Sequence, residues 1–566
     1  MATGVRALAL LLLVCLVPAV RAGQAAVAMP DNYSAGVAQK IIDSGGNAVD
    51  AAVAAAFVLA VTFPEAGNIG GGGFMLSYMG GEAAFLDFRE RAPQAADRDM
   101  YLDQDGNFVQ EKSLTGGLAS GVPGTVRGLQ AAHDRYGSLP WKQLLQPAVE
   151  LADKGFAVHR NLAAMALEKV RETAGKTNFA DTFAPLASAK VFVQPELART
   201  LRRIADNPDD FYRGETARQI VAQMQASGGI ITPGDLADYR AVWRTPLQYY
   251  WRGYQVLTAP PPSSGGVALL QLLGITDFAA ALFRDAPHNS ARYVHLLAEI
   301  EKRVFADRAE YLGDTDFVDV PVGGLLDPLY LMHRAQALNP AAISAPEEAG
   351  AGLESHQTTH FSILDAAGNA VALTYTLNWE FGSGVVVTGA GFLMNNEMDD
   401  FSAKVGVPNK FGVIGNDKNA IAPGKRMLSS MTPTIFLHNG KTALVIGTPG
   451  GSTIFTSIYQ VILNLYQYNM PLQAAVDATR FHHQLPDAYL IRHDRREIPA
   501  ATGSELKALG YTLEPNSWGD LGDIQAILVS GGAIQAASDN RGRGSARVFD
   551  RIAAPVSAIG TAAGIR

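Results

Sequence analysis

Two adjacent threonines, Thr358 and Thr359 in "HQTTHFSIL", pose the first chemical question in this chain. No serine elbow, metal-binding helix or phosphate loop surrounds them. The stretches "TTHFSIL" and "AVALTYTLN" flank "DAAGN", a turn-rich loop, and together read as a β-hairpin. With Leu364 opposite Ala370, Ile363 faces Val371 and Phe361 faces Leu373, so apolar residues meet apolar residues. The same register sets Thr358 opposite Thr376, and directly opposed Cβ atoms lie about 4.5–5.5 Å apart. Thr358 then shares a polar face with His360, Ser362, Thr374, Thr376 and Asn378, whereas Thr359 points to the apolar side.

A threonine hydroxyl is a poor nucleophile without a base. One solution makes the threonine the first residue of a chain, so that its own α-amine serves. An unperturbed α-amine has a pKa of about 7.7–8.0, and a useful fraction is neutral near physiological pH. Scission of the Gln357–Thr358 bond would create that terminus. Before the cut the nitrogen is an amide, so self-cleavage needs a neighbouring water or hydroxyl. Thr376 is the candidate to orient Thr358 Oγ in both steps.

The elements that must position this pair can be read around it. In "GGNAVDAAVAAAFVLAVTF" (45–63), Asn47 and Asp50 form a capping-box pattern ahead of a buried helix that Pro64 ends. "GNIGGGGFML" (67–76) leads into strands ending at "AAFLDFRE" (83–90). Residues 120–240 read mostly as helix, and "TAPPPSSGG" (258–266) as a rigid loop before another apolar helix. Around 339–357 the composition turns to Ala, Gly, Pro, Glu and Ser, a surface loop running into the threonines. After it the chain becomes strand-rich. Strands on both sides of helical blocks suggest a layered α/β sandwich, not a βαβαβ nucleotide fold.

Composition narrows the function. The chain has 566 residues, 48% of them hydrophobic, and a formal net charge of −8, with no basic stripe for nucleic acid. The opening "MATGVRALALLLLVCLVPAVRAGQ" reads as an export signal over residues 1–22, with an apolar core too short to span a bilayer. The one cysteine, Cys15, lies inside it, so the mature protein is expected to lack thiols, disulfides and cysteine metal sites. The expectation is a periplasmic or secreted protein without a membrane span.

With these pieces assembled, "TTHFSILDAAGNAVALTYTLNWEFGSG", "NNEMDDFSA", "LSSMTPTI" and "GTPGGS" resemble the gamma-glutamyltranspeptidase (gamma-glutamyltransferase) family of the N-terminal-nucleophile hydrolases. The likeness extends through "GGNAVDAAVA", "GNIGGGGFML", "LDFRE" and "VPGTVRGL", in family order and over nearly all of the mature chain. The resemblance implies an α/β (α+β) fold, a four-layer αββα sandwich. It also implies autoproteolysis into a large subunit (23–357) and a small one (358–566) that stay together as one unit. By resemblance, Thr358 is the nucleophile and Thr376 its activator. Gly450 and Gly451 donate the oxyanion-hole N–H groups. Arg89, Ser429 and Ser430 hold a glutamyl α-carboxylate, and Asn378, Glu397 and Asp400 contact the α-amino end. No cofactor is implied.

The chemistry agrees with these roles. Backbone donors at a Gly-Gly turn can approach a developing oxyanion closely. A bidentate arginine with hydroxyls beside it suits a carboxylate, and "NNEMDD" offers acceptors to an ammonium. The same motif lacks the spacing of a calcium loop, the glycine runs lack a phosphate-loop ending, and "RFHHQ" (480–484) has no helical partner for a metal. The loop 402–426 looks like a lid over the glutamyl site, with Phe411 where many bacterial members have tyrosine.

The resulting expectation is a γ-glutamyl hydrolase and transpeptidase. It would act on glutathione and related compounds, with water or an amino acid as acceptor. A glutaryl (cephalosporin) acylase on the same fold is the alternative, although its substrate has no α-amine for Glu397 and Asp400. A non-catalytic exported binding protein is the alternative from another class.

Overall fold

The hairpin takes the expected register. Strand Thr359–Leu364 pairs antiparallel with Ala370–Thr376, from Leu364 opposite Ala370 to Thr359 opposite Tyr375. Alternation drives this pairing: Phe361, Ile363, Val371, Leu373 and Tyr375 enter one core, while Leu364, Ala370 and Ala372 enter another. A one-residue slip would exchange the two faces and bury polar groups against hydrocarbon. At the turn, the Asp365 carboxylate accepts the backbone N–H groups of Ala367 and Asn369, both within 3.0 Å.

The structure is a computed structural model that describes residues 23–345, 358–404, 417–496, 498–516 and 519–551. The readings made on the export signal (1–22), Gln357 and Phe411 lie outside the described residues.

The hairpin sits inside a seven-stranded sheet. Its order is Ser545–Asp550, Gln24–Met29, Thr359–Leu364, Ala370–Thr376, Gly72–Met79, Glu82–Asp87 and Val242–Arg244. A six-stranded sheet faces it, in the order Ala533–Ser538, Gln525–Ser530, Lys441–Gly447, Thr434–His438, Tyr254–Thr258 and Leu247–Trp251. Both sheets therefore draw strands from before and after the Gln357–Thr358 bond.

Helix Ala48–Thr62 packs on the first sheet, every one of its residues buried. Asn47 caps it by accepting the N–H groups of Val49 and Asp50, while the Asp50 carboxylate accepts the Asn47 N–H at 3.0 Å. Helices Gly265–Phe278, Ala291–Tyr311 and Thr453–Tyr466 cover the second sheet. The layers thus run helix, sheet, sheet, helix, the αββα sandwich that the resemblance implied.

Two regions differ from the sequence reading. Helices Thr453–Tyr466, Leu472–Asp477 and Ala500–Leu509 interrupt a stretch read as strand-rich. "TIFTSIYQVILNLY" is rich in β-branched and aromatic residues that favour strands, yet it packs as a helix buried along almost its whole length. The alanine-rich strand Gln24–Met29 gave no strand signal at all. Tertiary pairing between Thr359–Leu364 and Ser545–Asp550 makes it one.

Candidate active site

Thr358 stands at the head of its strand and is 7% exposed. Continuing the observed register places it opposite Thr376. Thr359 turns the other way, and its buried hydroxyl has no hydrogen-bond partner among the described residues. Thr376 is held from two sides. Its Oγ1 accepts the Asn378 N–H at 2.7 Å. Its carbonyl accepts from Asn68 Nδ2 at 2.8 Å, and Asn68 Oδ1 accepts from Gly71 N at 3.0 Å and Thr125 Oγ1 at 2.7 Å. A Cβ on Gly71 would fall 2.1 Å from the Thr376 carbonyl oxygen, so only glycine permits this approach.

The second sheet brings the glycine turn to this hairpin. Strand Lys441–Gly447 crosses over the hairpin, and a Cβ on Gly447 would lie 2.3 Å from the His360 ring. His360 is fully buried between Thr374 Oγ1 at 2.7 Å and Ser362 Oγ at 3.1 Å. Burial pushes its pKa down to about 3, which keeps it neutral and structural. The chain then turns through Gly450 and Gly451, both at positive φ, into helix Thr453–Tyr466. Among the described residues neither glycine N–H meets an acceptor. Both stand at the positive end of a 14-residue helix, a place suited to negative charge. Thr448 braces the turn by accepting the Asp523 N–H at 2.7 Å.

The third component is a buried ion cluster. Arg89, 1% exposed, follows strand Glu82–Asp87 and anchors its own N–H on Asp87 Oδ1 at 3.0 Å. Its guanidinium donates to Glu397, to Asp400 Oδ2 at 2.6 Å and to the Leu428 carbonyl at 3.3 Å. Glu90 Oε2 lies 3.9 Å from it. The resemblance placed Arg89 and the two acids at opposite ends of a ligand; the structure sets them in direct contact.

Three carboxylates around one cation leave the cluster acid-rich. Both oxygens of Glu90, Oε2 of Glu397 and Oδ1 of Asp400 are buried and receive no hydrogen bond from a donor among the described residues. Burial pushes Glu90 up to about 8, against the pull of Arg89. Burial likewise raises Glu397 and Asp400, again opposed by Arg89.

The acids are set by their asparagine neighbours. Asn395 Oδ1 accepts the N–H of Gly121 and Glu397, and its Nδ2 donates to the carbonyls of Gly70 and Gly121. Asn396 accepts the Trp379 N–H and, at its carbonyl, Asn378 Nδ2 at 3.1 Å. In "NNEMDD", then, the two asparagines are struts and the acids carry the charge.

Ser429 and Ser430 lie against the loop at 258–266. Ser429 N–H donates to Pro262 O at 2.9 Å, and its carbonyl accepts Ser264 Oγ at 2.7 Å. Ser430 Oγ is 3.4 Å from Ser264 Oγ, which also accepts Arg308 Nε at 3.0 Å. Arg308 is buried, and its charge acts on Asp400. Sequence reasoning did not single out Arg308, Glu90 or Asn68. Only Asn68 had a signal, as the polar residue inside "GNIGGGG".

His482 and His483 are structural: they bond Thr456, Gln484 and the Leu490 carbonyl. No cluster of three or more His, Cys, Asp or Glu among the described residues is arranged to hold a metal ion.

Residues 34–549 match the family profile described as Gamma-glutamyltranspeptidase. The chain is 60% identical over 521 residues to a glutathione hydrolase proenzyme of Pseudomonas aeruginosa, covering 92% of this chain and 93% of that protein. It is 46% identical over 535 residues to one of Escherichia coli, covering 92% and 91%. In structure it is similar to a cephalosporin acylase from Bacillus halodurans, with a TM-score of 0.82, 28% identity and 93% and 96% of the two chains covered. A gamma-glutamyltranspeptidase from Pseudomonas nitroreducens, complexed with L-DON, gives a TM-score of 0.56 at 55% identity, covering 57% of this chain and 96% of that one. The chain belongs to the gamma-glutamyltranspeptidase family.

Proposed function

We propose that the chain is a proenzyme that cuts its own Gln357–Thr358 bond and then cleaves γ-glutamyl amides such as glutathione, passing the γ-glutamyl group to water or an amino acid. The observation that carries this reading is the acid-rich cluster around Arg89. A free amino acid end brings a carboxylate and an ammonium together. Arg89 with Ser429 and Ser430 suits the first, and the uncommitted oxygens of Glu397 and Asp400 suit the second.

The geometry supports the following reaction. Thr358 Oγ attacks the γ-carbonyl, its proton passing to the α-amine and then to the departing amine. Negative charge on the carbonyl oxygen is met by the N–H groups of Gly450 and Gly451. Loss of the amine leaves a γ-glutamyl ester on Thr358. Water or an amino acid nitrogen then attacks the ester, gives up a proton to the α-amine, and frees Thr358 Oγ. Thr376 orients the nucleophile throughout.

In this reading residues 23–357 and 358–566 are the two subunits, 1–22 is removed on export to the periplasm or medium, and Phe411 belongs to a lid. No helix among the described residues is long and apolar enough to cross a membrane.

Kinetics with a γ-glutamyl anilide tests the proposal; absence of aniline release by the two-chain protein would overturn it. The likeness to a cephalosporin acylase makes a glutaryl anilide the right competitor. That substrate lacks the α-amine, and equal or faster turnover of it would favour the acylase reading.

A further inference from the structure

A cavity of about 240 Å³ opens beside the machinery just described, its lining including Glu168, Lys169, Glu172, Trp379, Glu380 and Asn396. It is too small for a drug-sized ligand, which takes roughly 300–1,000 Å³, and large enough for an amino acid. Its inner wall is chemically specific. Lys169 is only 7% exposed, although it belongs to helix Arg160–Glu172, whose other charged residues mostly face solvent. Its ammonium lies 3.4 Å from Glu172 Oε2. Glu380 faces the charge of Lys169, which opposes the upward pull of burial on its carboxyl. Glu168 and Glu172 stand at the solvent side.

The cavity is tied to the nucleophile by short links. Asn378 donates its N–H to Thr376 Oγ1 at 2.7 Å and its Nδ2 to the Asn396 carbonyl at 3.1 Å. Asn396 in turn accepts the N–H of Trp379 at 3.1 Å. The Arg89 cluster holds one end of a γ-glutamyl substrate, so the group on the far side of the scissile bond needs a place of its own.

Resting on the γ-glutamyl reading, we propose that this cavity receives the amine-bearing partner of the reaction. That partner is the short peptide that departs from a γ-glutamyl peptide, or the amino acid or dipeptide that replaces it, and Lys169 binds its carboxylate. One ammonium and one carboxyl on the inner wall match a zwitterion. The two acids at the mouth disfavour acceptors with acidic side chains. A buried lysine meeting a carboxylate makes a charge-assisted bond, stronger than a neutral one.

The test measures acceptor kinetics with diglycine and with its C-terminal amide, using a γ-glutamyl anilide as donor. The wild-type enzyme should prefer the free carboxylate by about tenfold in kcat/KM. In Lys169→Met that preference should collapse to about one, mainly through the KM for diglycine, and Lys169→Arg should retain most of it. Equal use of diglycine and its amide by the wild type would overturn the proposal. So would a preference unchanged in Lys169→Met that matures to two chains. If Lys169→Met fails to mature, the wild-type ratio and Lys169→Arg still decide. A wild-type protein that releases no aniline at all strikes the γ-glutamyl reading instead, so the two failures are distinct.

Discussion

The hairpin and the arginine cluster solve opposite problems. In the hairpin, nearly every buried polar atom is committed: His360 to Thr374 and Ser362, Ser362 to the Gln525 carbonyl, and Thr376 to Asn68 and Asn378. In the cluster, four carboxylate oxygens on Glu90, Glu397 and Asp400 receive no donor among the described residues. Committed polar groups give a fixed geometry, which a nucleophile needs. Buried acceptors held without donors cost free energy and are kept where a charged ligand supplies the missing partner. The contrast separates a part built to stay still from a part built to be completed.

The comparison breaks most sharply at Thr358. Thr358→Ala should leave one uncut chain on a denaturing gel and lower γ-glutamyl anilide turnover by at least about a thousandfold. Normal cleavage in that variant would dismiss the hairpin as the reactive part.

Arg89→Met comes next. It removes the cation that Glu397 and Asp400 contact directly, a change of the kind that costs about 3–5 kcal/mol. Thermal unfolding should show a lower Tm, and kcat/KM should fall about a hundredfold or more. A variant of unchanged stability would mean that the cluster is not held by Arg89.

Gly447→Ala probes the contact between the hairpin and the second sheet. The added methyl meets the His360 ring, and overpacking of this kind costs about 1–3 kcal/mol. Circular dichroism melts would measure it, and no change would show that the ring moves freely aside.

Glu90 gives a pH signature. Its carboxyl is pushed up to about 8 from an ordinary 4.5, so the folded chain keeps a proton that the unfolded chain gives up between these values. Stability from this group therefore declines as pH rises through that window. Glu90→Gln is neutral at every pH and should flatten the decline. Its Tm should exceed that of the wild type by a few degrees at pH 8.5, with little difference near pH 4.5. A gain independent of pH would contradict the shift.

The smallest effect belongs to the neighbouring threonine. Thr359→Val removes a buried hydroxyl without a partner among the described residues and should change stability by less than about 1 kcal/mol, in either direction. Cleavage should proceed normally, as mass spectrometry of the new amino terminus would report; blocked cleavage would blur the distinction between the two threonines.

The two parts also differ in how far the sequence revealed them. The hairpin was legible because its information is local. A short turn and strict alternation of apolar and polar residues determine which threonine faces which, without knowledge of any other element. Helix Ala48–Thr62 was legible for the same reason, through its cap and its length. The cluster was not. Arg89, Glu397 and Asp400 stood out through family likeness, but their direct contact depends on how distant segments pack, and Glu90 and Arg308 carry no local sign of burial. Helix Thr453–Tyr466 was hidden by residue types that favour strands in isolation, and Gln24–Met29 by alanines that favour helices. In both, packing partners far along the chain override local preference.

The position of Gln24–Met29 has a further consequence. It lies between Ser545–Asp550 and Thr359–Leu364, so under the proposed scission a strand from one product is flanked on both edges by strands from the other. Cutting the chain before Thr358 thus turns a unimolecular folding problem into a bimolecular one. The precursor should refold at a rate indifferent to dilution, whereas the processed enzyme, once its halves diffuse apart, should regain structure only as fast as they meet.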